Sequence, residues 1–323
     1  MMMKKVLIST TSFGKHDYTP VDLLTQSGFE PVMNPYGRTL RRDEVIDLAS
    51  GASGIIAGTE PLDRTVLEKL PGLRIISRCG AGLDNVDMAA ARRFGVEVYS
   101  TPYGPTLAVA ELTVALALNL MRRVTEMDRE IRAGMWQKMM GSLLSGKRLG
   151  ILGFGRIGRK VAELMLPFGV DIFYCDPCRA KDEPGCRAAG LRELLSWAEI
   201  VTVHAAPPGT AKRVIGKAEL ALMRQGSCLI NTSRGGVVDE AALYEALIEK
   251  RISGAALDVF EEEPYSGRLR ELKNVILTPH IGSYAKEARV GMELAAVNNL
   301  LAGFGVGAPV NRRQSAVAGG SPI

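Results

Sequence analysis

Lys147-Arg-Leu-Gly-Ile-Leu-Gly-Phe-Gly-Arg-Ile-Gly158 is the stretch that decides the fold. The apolar run Leu149-Gly-Ile-Leu152 has strand character, and a helical pattern follows from Arg156 to Phe168. Between them Gly153, Gly155 and Gly158 fit G-x-G-x-x-G. Each glycine has its own reason: the first permits the tight turn, the second lets a pyrophosphate approach the backbone, and the third lets helix pack closely on strand. The helix dipole favours the phosphate charge. Gly153, Gly155, Arg156, Ile157 and Gly158 are therefore candidate cofactor-binding residues.

The glycine spacing alone equally suits mere close packing, so the following segment matters. Val170-Asp-Ile-Phe-Tyr-Cys175 reads as a second parallel strand, and Asp176 stands at its end, about 20 residues past the fingerprint, where an acid takes the adenosine ribose hydroxyls. A 2′-phosphate there would meet a carboxylate at a cost of about 4 kcal/mol per unit-charge pair at ~4 Å and an effective dielectric of ~20. The expected cofactor is NAD rather than NADP, with Arg179 near enough in sequence to soften the discrimination.

Working outward, short apolar runs alternate with helical patterns from Val6 to Tyr99, and again from the fingerprint through Asp171–Cys175, Ile200–His204, Ser227–Asn231, Gly254–Asp258 and Val275–Leu277. That alternation predicts α/β architecture with parallel sheets covered on both faces. The turn-rich Thr101-Pro-Tyr-Gly-Pro105 marks a boundary. Two doubly wound domains are expected: residues 1–101 with 285–311 as a substrate-binding domain, and residues 102–284 as a Rossmann domain inserted into it. Leu107 to Glu130 reads as one long helix, apolar enough near its start for burial between domains or subunits. Residues 312–323 read as a disordered tail.

At 323 residues, 46% hydrophobic and 23% charged, the chain has the composition of a globular protein with about two domains. Its net charge of +5 is spread without a basic block, which favours small anions over nucleic acid. The most apolar long stretch, Leu107 to Met121, contains Glu111 and Asn119 and falls short of the ~20 residues a membrane span requires. Its N-terminal apolar run is too short for a signal peptide, so a cytoplasmic location with reduced thiols is expected for its five cysteines. Cys175-x-x-Cys178 with Cys186 lacks a nearby histidine, and no metal site is expected.

Three histidines can be weighed singly. His16 sits in a polar stretch and reads as a surface residue. His204 ends a strand, on the side where parallel sheets bind ligands, and reads either as a cofactor neighbour or as a structural hydrogen-bonding group. His280 follows another strand between Pro279 and Gly282, a fixed loop that suits a general base. A carboxylate partner is available in Asp258-Val-Phe-Glu-Glu-Glu263-Pro264, where two of the three glutamates read as a solvated loop. Arg234 in Asn231-Thr-Ser-Arg-Gly-Gly236 fits a cation that polarises a carbonyl, or else a surface cap for the helix near Asp239.

These stretches, with Arg78-Cys-Gly-Ala-Gly-Leu-Asp-Asn-Val-Asp87, Trp136–Gly141 and Pro279-His-Ile-Gly282, resemble the D-isomer-specific 2-hydroxyacid dehydrogenase family, most of all its phosphoglycerate dehydrogenase branch without the C-terminal regulatory domain. The resemblance implies Arg234, Glu263 and His280 as catalytic residues. It places Thr232 and Asp258 near the nicotinamide, with Gly282 and His204 also counted as cofactor-binding, and has the loop Arg78 to Gly82, through Arg78, Cys79, Gly80 and Ala81, present backbone N–H groups to the substrate carboxylate in a cleft between two domains. It also implies a homodimer acting on a small D-2-hydroxy or 2-oxo acid, with no nucleic-acid or membrane partner. Rival readings are a dinucleotide-sensing protein of the corepressor type and a formate- or phosphite-type dehydrogenase, against whose formate version Glu263 counts. The branch's second phosphate-binding arginine is replaced here by Gly54-Ile-Ile-Ala-Gly-Thr-Glu60, and Glu60 adds a negative charge. After His204 the family has one residue before proline, whereas Ala205-Ala206-Pro207 stands here, so that loop is expected to sit differently.

Overall fold

A computed structural model describes residues 3–205 and 213–306. The expected tail at 312–323 and most of the loop after His204 lie outside them. The chain divides into two compact units, one made of the residues up to Pro105 together with those from Ser283 onward, the other of Thr106–Gly282.

The first unit alternates β1 (Lys4–Ile8), α1 (Thr19–Gln26), β2 (Phe29–Met33), α2 (Arg42–Leu48), β3 (Gly54–Ala57), α3 (Arg64–Glu68), β4 (Ile75–Arg78), α4 (Met88–Arg93) and β5 (Glu97–Ser100). Its five strands are parallel in the order β2-β1-β3-β4-β5. Parallel strands need crossovers, and the crossover helices bury both faces. One face packs Leu7, Ile55 and Ile76 under α2, α3 and α4. The other packs Val6, Ile8 and Ile56 against α1 and the chain's last helix, α11 (Lys286–Gly303), through Met292, Val297 and Leu300. Asp63 and Asp87 cap α3 and α4 by accepting backbone N–H groups.

The second unit opens with α5 (Thr106–Arg122) and α6 (Val124–Arg132). The single helix expected from Leu107 to Glu130 is thus two. Arg123 takes a left-handed conformation with φ 54°, and the Asn119 side chain accepts the Thr125 N–H at 2.9 Å, capping a new helix start. The apolar side of α5 is also accounted for locally, since Ala110, Leu116 and Ala117 are buried beside the sheet and the fingerprint helix.

There follow β6 (Arg148–Leu152), α7 (Arg156–Met165), β7 (Asp171–Cys175), β8 (Cys186–Ala188), α8 (Leu191–Trp197), β9 (Ile200–Val203), α9 (Lys217–Leu222), β10 (Ser227–Asn231), α10 (Glu240–Ile248), β11 (Ile252–Leu257) and β12 (Val275–Leu277). The seven strands are parallel in the order β12-β11-β10-β9-β6-β7-β8. The chain builds outward from β6 in one direction and then from β9 in the other, so the switch point lies between β6 and β9. Strand β8, unforeseen from sequence, is a three-residue edge strand after an Asp-Glu-Pro-Gly turn, too short to show a period. No helix among the described residues is long and apolar enough to cross a membrane.

The turn after β6 rests on one close contact. A Cβ added at Gly158 would sit 2.1 Å from the Gly153 carbonyl oxygen, whereas one at Gly155 would meet nothing within 4 Å. Gly158→Ala is therefore expected to lower unfolding stability by about 1–3 kcal/mol, and Gly155→Ala to leave it within about 0.5 kcal/mol. Urea denaturation of both variants checks this, and equal midpoints would refute the packing role of Gly158.

Candidate active site

Because every strand of the seven-stranded sheet points the same way, all seven end on one edge, among them β6 at Gly153, β7 at Asp176, β9 at His204, β10 at Thr232, β11 at Asp258 and β12 at Thr278. The sequence-predicted residues of this unit all follow those ends.

At the glycine turn, Gly153 has φ 87° and packs on the backbone of the next strand end. A Cβ there would fall 2.6 Å from the Ala205 nitrogen and 2.7 Å from the His204 carbonyl. Gly155 caps α7 and faces open space, so the free N-terminus of α7, with Arg156 and Ile157 in its first turn, can receive an anion. Asp176 closes β7 and reaches back to the turn: one carboxylate oxygen accepts the Phe154 N–H at 2.7 Å and the other accepts the Cys178 N–H at 2.8 Å. Arg179 is ion-paired with Glu183 at 3.0 Å. An open phosphate cradle and an acid beside it fit a dinucleotide.

His204 lies between two threonines, with Thr202 Oγ1 2.9 Å from Nε2 and Thr232 Oγ1 3.5 Å from Nδ1. The Thr113 hydroxyl donates to the Val109 carbonyl at 2.8 Å and so accepts from Thr232, 3.0 Å away. With the Thr232 proton spent, Nδ1 must carry the imidazole proton and Nε2 must accept from Thr202. Desolvation lowers the imidazole pKa to about 3, so His204 is neutral.

His280 and Glu263 meet directly. Nδ1 of His280 is 2.9 Å from one Glu263 carboxylate oxygen and 3.1 Å from the other. Burial pushes the Glu263 carboxyl up, but the His280 hydrogen bond and charge and the Phe260 N–H outweigh it and leave its pKa below the usual value. Glu261, Glu262 and Glu263 are all exposed, and Glu263 is the one that meets His280. With Nδ1 engaged, Nε2 is the His280 atom left to exchange a proton with a substrate.

Asp258, expected beside a nicotinamide, is 1% exposed and grips the His280 loop. It accepts the Thr278 hydroxyl at 2.6 Å, the Ile281 N–H at 2.8 Å and the Gly282 N–H at 2.8 Å. These bonds bracket His280, whose φ of 54° is unusual for a residue with a side chain. Burial raises the Asp258 pKa against the pull of those donors and of His280.

Arg234 lies half-buried on the turn after β10, and its Nη1 donates to the Ser233 carbonyl at 2.9 Å. Behind it, a Cβ at Gly235 would come 1.7 Å from the Phe260 carbonyl oxygen, so this turn is pressed against the loop that carries Glu263. Sequence reasoning passed over Asn231, Thr113 and Thr278. Asn231 carried a signal, being a polar residue at the end of an otherwise buried strand.

In the first unit, Arg78 ends β4 and its guanidinium lies over Gly80, where a Cβ would fall 2.5 Å from Nη1. Two expectations need correction here. The Cys79 side chain cannot face a ligand: it is 2% exposed in the apolar core, and desolvation raises its thiol pKa to about 11. The N–H groups of Cys79 and Gly80 are also taken, by the Ala57 carbonyl and the Thr101 hydroxyl, which leaves Ala81 and Gly82 to offer theirs. Glu60 does not project its charge, because it is 1% exposed, accepts from Ser9 Oγ at 2.5 Å and from the Gly58 N–H, and has its pKa raised by burial. Among the described residues no group of three or more His, Cys, Asp or Glu is placed to hold a metal ion.

Residues 114–282, just over half of the chain, match the family model described as D-isomer specific 2-hydroxyacid dehydrogenase, NAD binding domain. The chain is 40% identical over 286 residues to a glyoxylate reductase of Thermococcus litoralis, covering 84% of this chain and 85% of that one. It is 34% identical over 302 residues to a D-3-phosphoglycerate dehydrogenase of Archaeoglobus fulgidus, covering 90% of this chain but 57% of that longer one. The crystal structure of TT0316 protein from Thermus thermophilus superimposes with a TM-score of 0.88 at 37% identity, covering 95% of this chain and 99% of that one.

The neutral His204 has a consequence for pH. Its folded pKa lies below the ordinary value of 6.5, so the stability it protects is intact above pH 6.5 and is lost as pH falls, because the unfolded chain then binds a proton the fold refuses. Between pH 7 and 5, wild type is expected to lose about 2 kcal/mol more than His204→Asn. Urea titrations at both pH values measure it, and parallel losses would show that His204 is not held neutral.

Proposed function

The chain belongs to the D-isomer-specific 2-hydroxyacid dehydrogenase family, and from that premise we propose that His280, Glu263 and Arg234 are the catalytic residues of an NAD-dependent oxidoreductase. The observation that carries this is the Glu263–His280 pair at 2.9 Å, which leaves Nε2 of His280 available. In the oxidation direction Nε2 takes the hydroxyl proton of a D-2-hydroxy acid as the C–O double bond forms, and Glu263 stabilises the resulting imidazolium through Nδ1. Arg234 holds the carboxylate and polarises the C2 oxygen by charge-assisted hydrogen bonds. NAD, when bound by the glycine turn, Asp176, Thr232 and Gly282, supplies the acceptor for the hydride that leaves C2. In the reduction direction the His280 imidazolium returns the proton to the alkoxide oxygen.

The unit that includes Arg78 serves as the substrate-binding domain in this reading, and the Thr106–Gly282 unit as the cofactor-binding one. Within that unit, Arg78 and the N–H groups of Ala81 and Gly82 are the candidate groups for an anionic substrate. Ala57 leaves no cation after β3 and Glu60 is spent on Ser9 and Gly58, so the acid is small and unphosphorylated, as with the glyoxylate reductase relative. A cytoplasmic location accords with five cysteines that are all free thiols.

NADH oxidation over glyoxylate, hydroxypyruvate, pyruvate and 3-phosphohydroxypyruvate tests this directly. Wild type should turn over the unphosphorylated acids best, and His280→Ala should lose at least the ~10²-fold a positioned base provides while still binding NADH. Near-normal turnover by His280→Ala would sink the assignment, and failure of every acid would favour a dinucleotide-sensing protein.

A homodimer is the proposed assembly. In support, Trp136 is 83%, Met140 92% and Leu143 71% exposed along the segment that follows α6, more apolar surface than a monomer ordinarily shows to water. Trp136→Ser combined with Met140→Ser should halve the mass measured by light scattering. A monomeric wild type would overturn the proposal.

A further inference from the structure

We propose that Asn231 is a positioning residue that sets the Arg234 guanidinium through the turn between them, an inference that rests on Arg234 being the group that receives the substrate carboxylate. Asn231 closes β10 and is 1% exposed. Its backbone carbonyl accepts the Asp258 N–H at 2.9 Å, which ties it to the strand end whose side chain grips the His280 loop.

The side chain spans the turn with opposite ends. Its Oδ1 accepts both the Ser233 N–H at 3.1 Å and the Ser233 hydroxyl at 2.7 Å, while its Nδ2 donates to the Arg234 carbonyl at 3.2 Å. Ser233, held in this way by its N–H and its hydroxyl, offers its carbonyl in the next peptide unit to Arg234 Nη1 at 2.9 Å. A continuous path thus runs from the buried amide through Ser233 to the guanidinium. After Arg234, Gly235 can have no side chain against Phe260, and Gly236 sits at φ 76°. Asn231 acts on the turn from the amino-terminal side.

An amide is the side chain this geometry demands. Aspartate would keep the acceptor for Ser233 but set a second oxygen against the Arg234 carbonyl, and alanine would leave the half-buried Ser233 N–H and Arg234 carbonyl without the Asn231 side chain.

Oxamate, an unreactive carboxylate analogue of a 2-oxo acid, reports on the arginine when bound to the enzyme–NADH complex. Its dissociation constant and that of NADH are to be measured for wild type, Asn231→Ala, Arg234→Ala and the double variant. Expected is an oxamate affinity about tenfold weaker in Asn231→Ala, unchanged NADH affinity, and less than a twofold further loss when Asn231→Ala is added to Arg234→Ala. Equal losses in both backgrounds, or a parallel loss of NADH affinity, would overturn the proposal. Full oxamate affinity in Arg234→Ala would instead sink the reading of Arg234 itself. If Asn231→Ala does not fold, Asn231→Asp, which keeps the acceptor, enters the same cycle with the same criterion.

Discussion

Parallel strands cannot be joined by hairpins, so each strand of the seven-stranded sheet must be followed by a crossover that returns the chain to the opposite edge. All carboxyl ends consequently collect on one side, and each ends in backbone N–H and C=O groups that no further strand will pair. Those groups have to be satisfied by side chains at the strand ends. The same residues that complete the sheet therefore shape the site: Asp176 takes the Phe154 N–H of the glycine turn, Asn231 takes the turn that bears Arg234, and Asp258 takes the loop that bears His280.

Asp258 shows how such a residue withstands burial. A carboxylate removed from water is costly unless hydrogen bonds replace its hydration, and here a hydroxyl and two backbone N–H groups do so. The donors lie on both sides of His280, so the bonds that stabilise the charge also hold the histidine in a left-handed conformation that its Cβ resists. Glu263 then fixes the ring from outside. The position of one imidazole thus depends on two carboxylates with different surroundings, one nearly sealed off and one partly exposed.

What could be read in the sequence was what depends on neighbours along the chain. The glycine turn was legible because its three glycines answer constraints within a dozen residues, and the alternation of strand and helix was legible because period and turn chemistry are local. The break at Arg123 was not, because its cause is a side-chain cap from Asn119 that looks in sequence like an interruption of an apolar run. Cys79 and Glu60 were misjudged for a related reason. Side chains at a strand end alternate between site and core, and nothing local says that Arg78 lies over Gly80 while Cys79 turns into the apolar interior. Asn231 escaped notice because its role exists only once the turn has folded back on it.

Cofactor choice shows the same economy of strand-end groups. Each oxygen of the Asp176 carboxylate is fixed by a backbone N–H, one from the glycine turn and one from Cys178, so the group cannot rotate away to admit a 2′-phosphate without unsatisfying both. The neighbouring cation that could offset its charge, Arg179, is held by Glu183. With Asp176 as the ribose-binding acid we propose, a carboxylate locked in this way would accept ribose hydroxyls through its remaining lone pairs and repel a 2′-phosphate. On that proposal a preference for NAD follows from the hydrogen bonds that build the glycine turn, and loosening it would require rebuilding the turn as well as changing the acid.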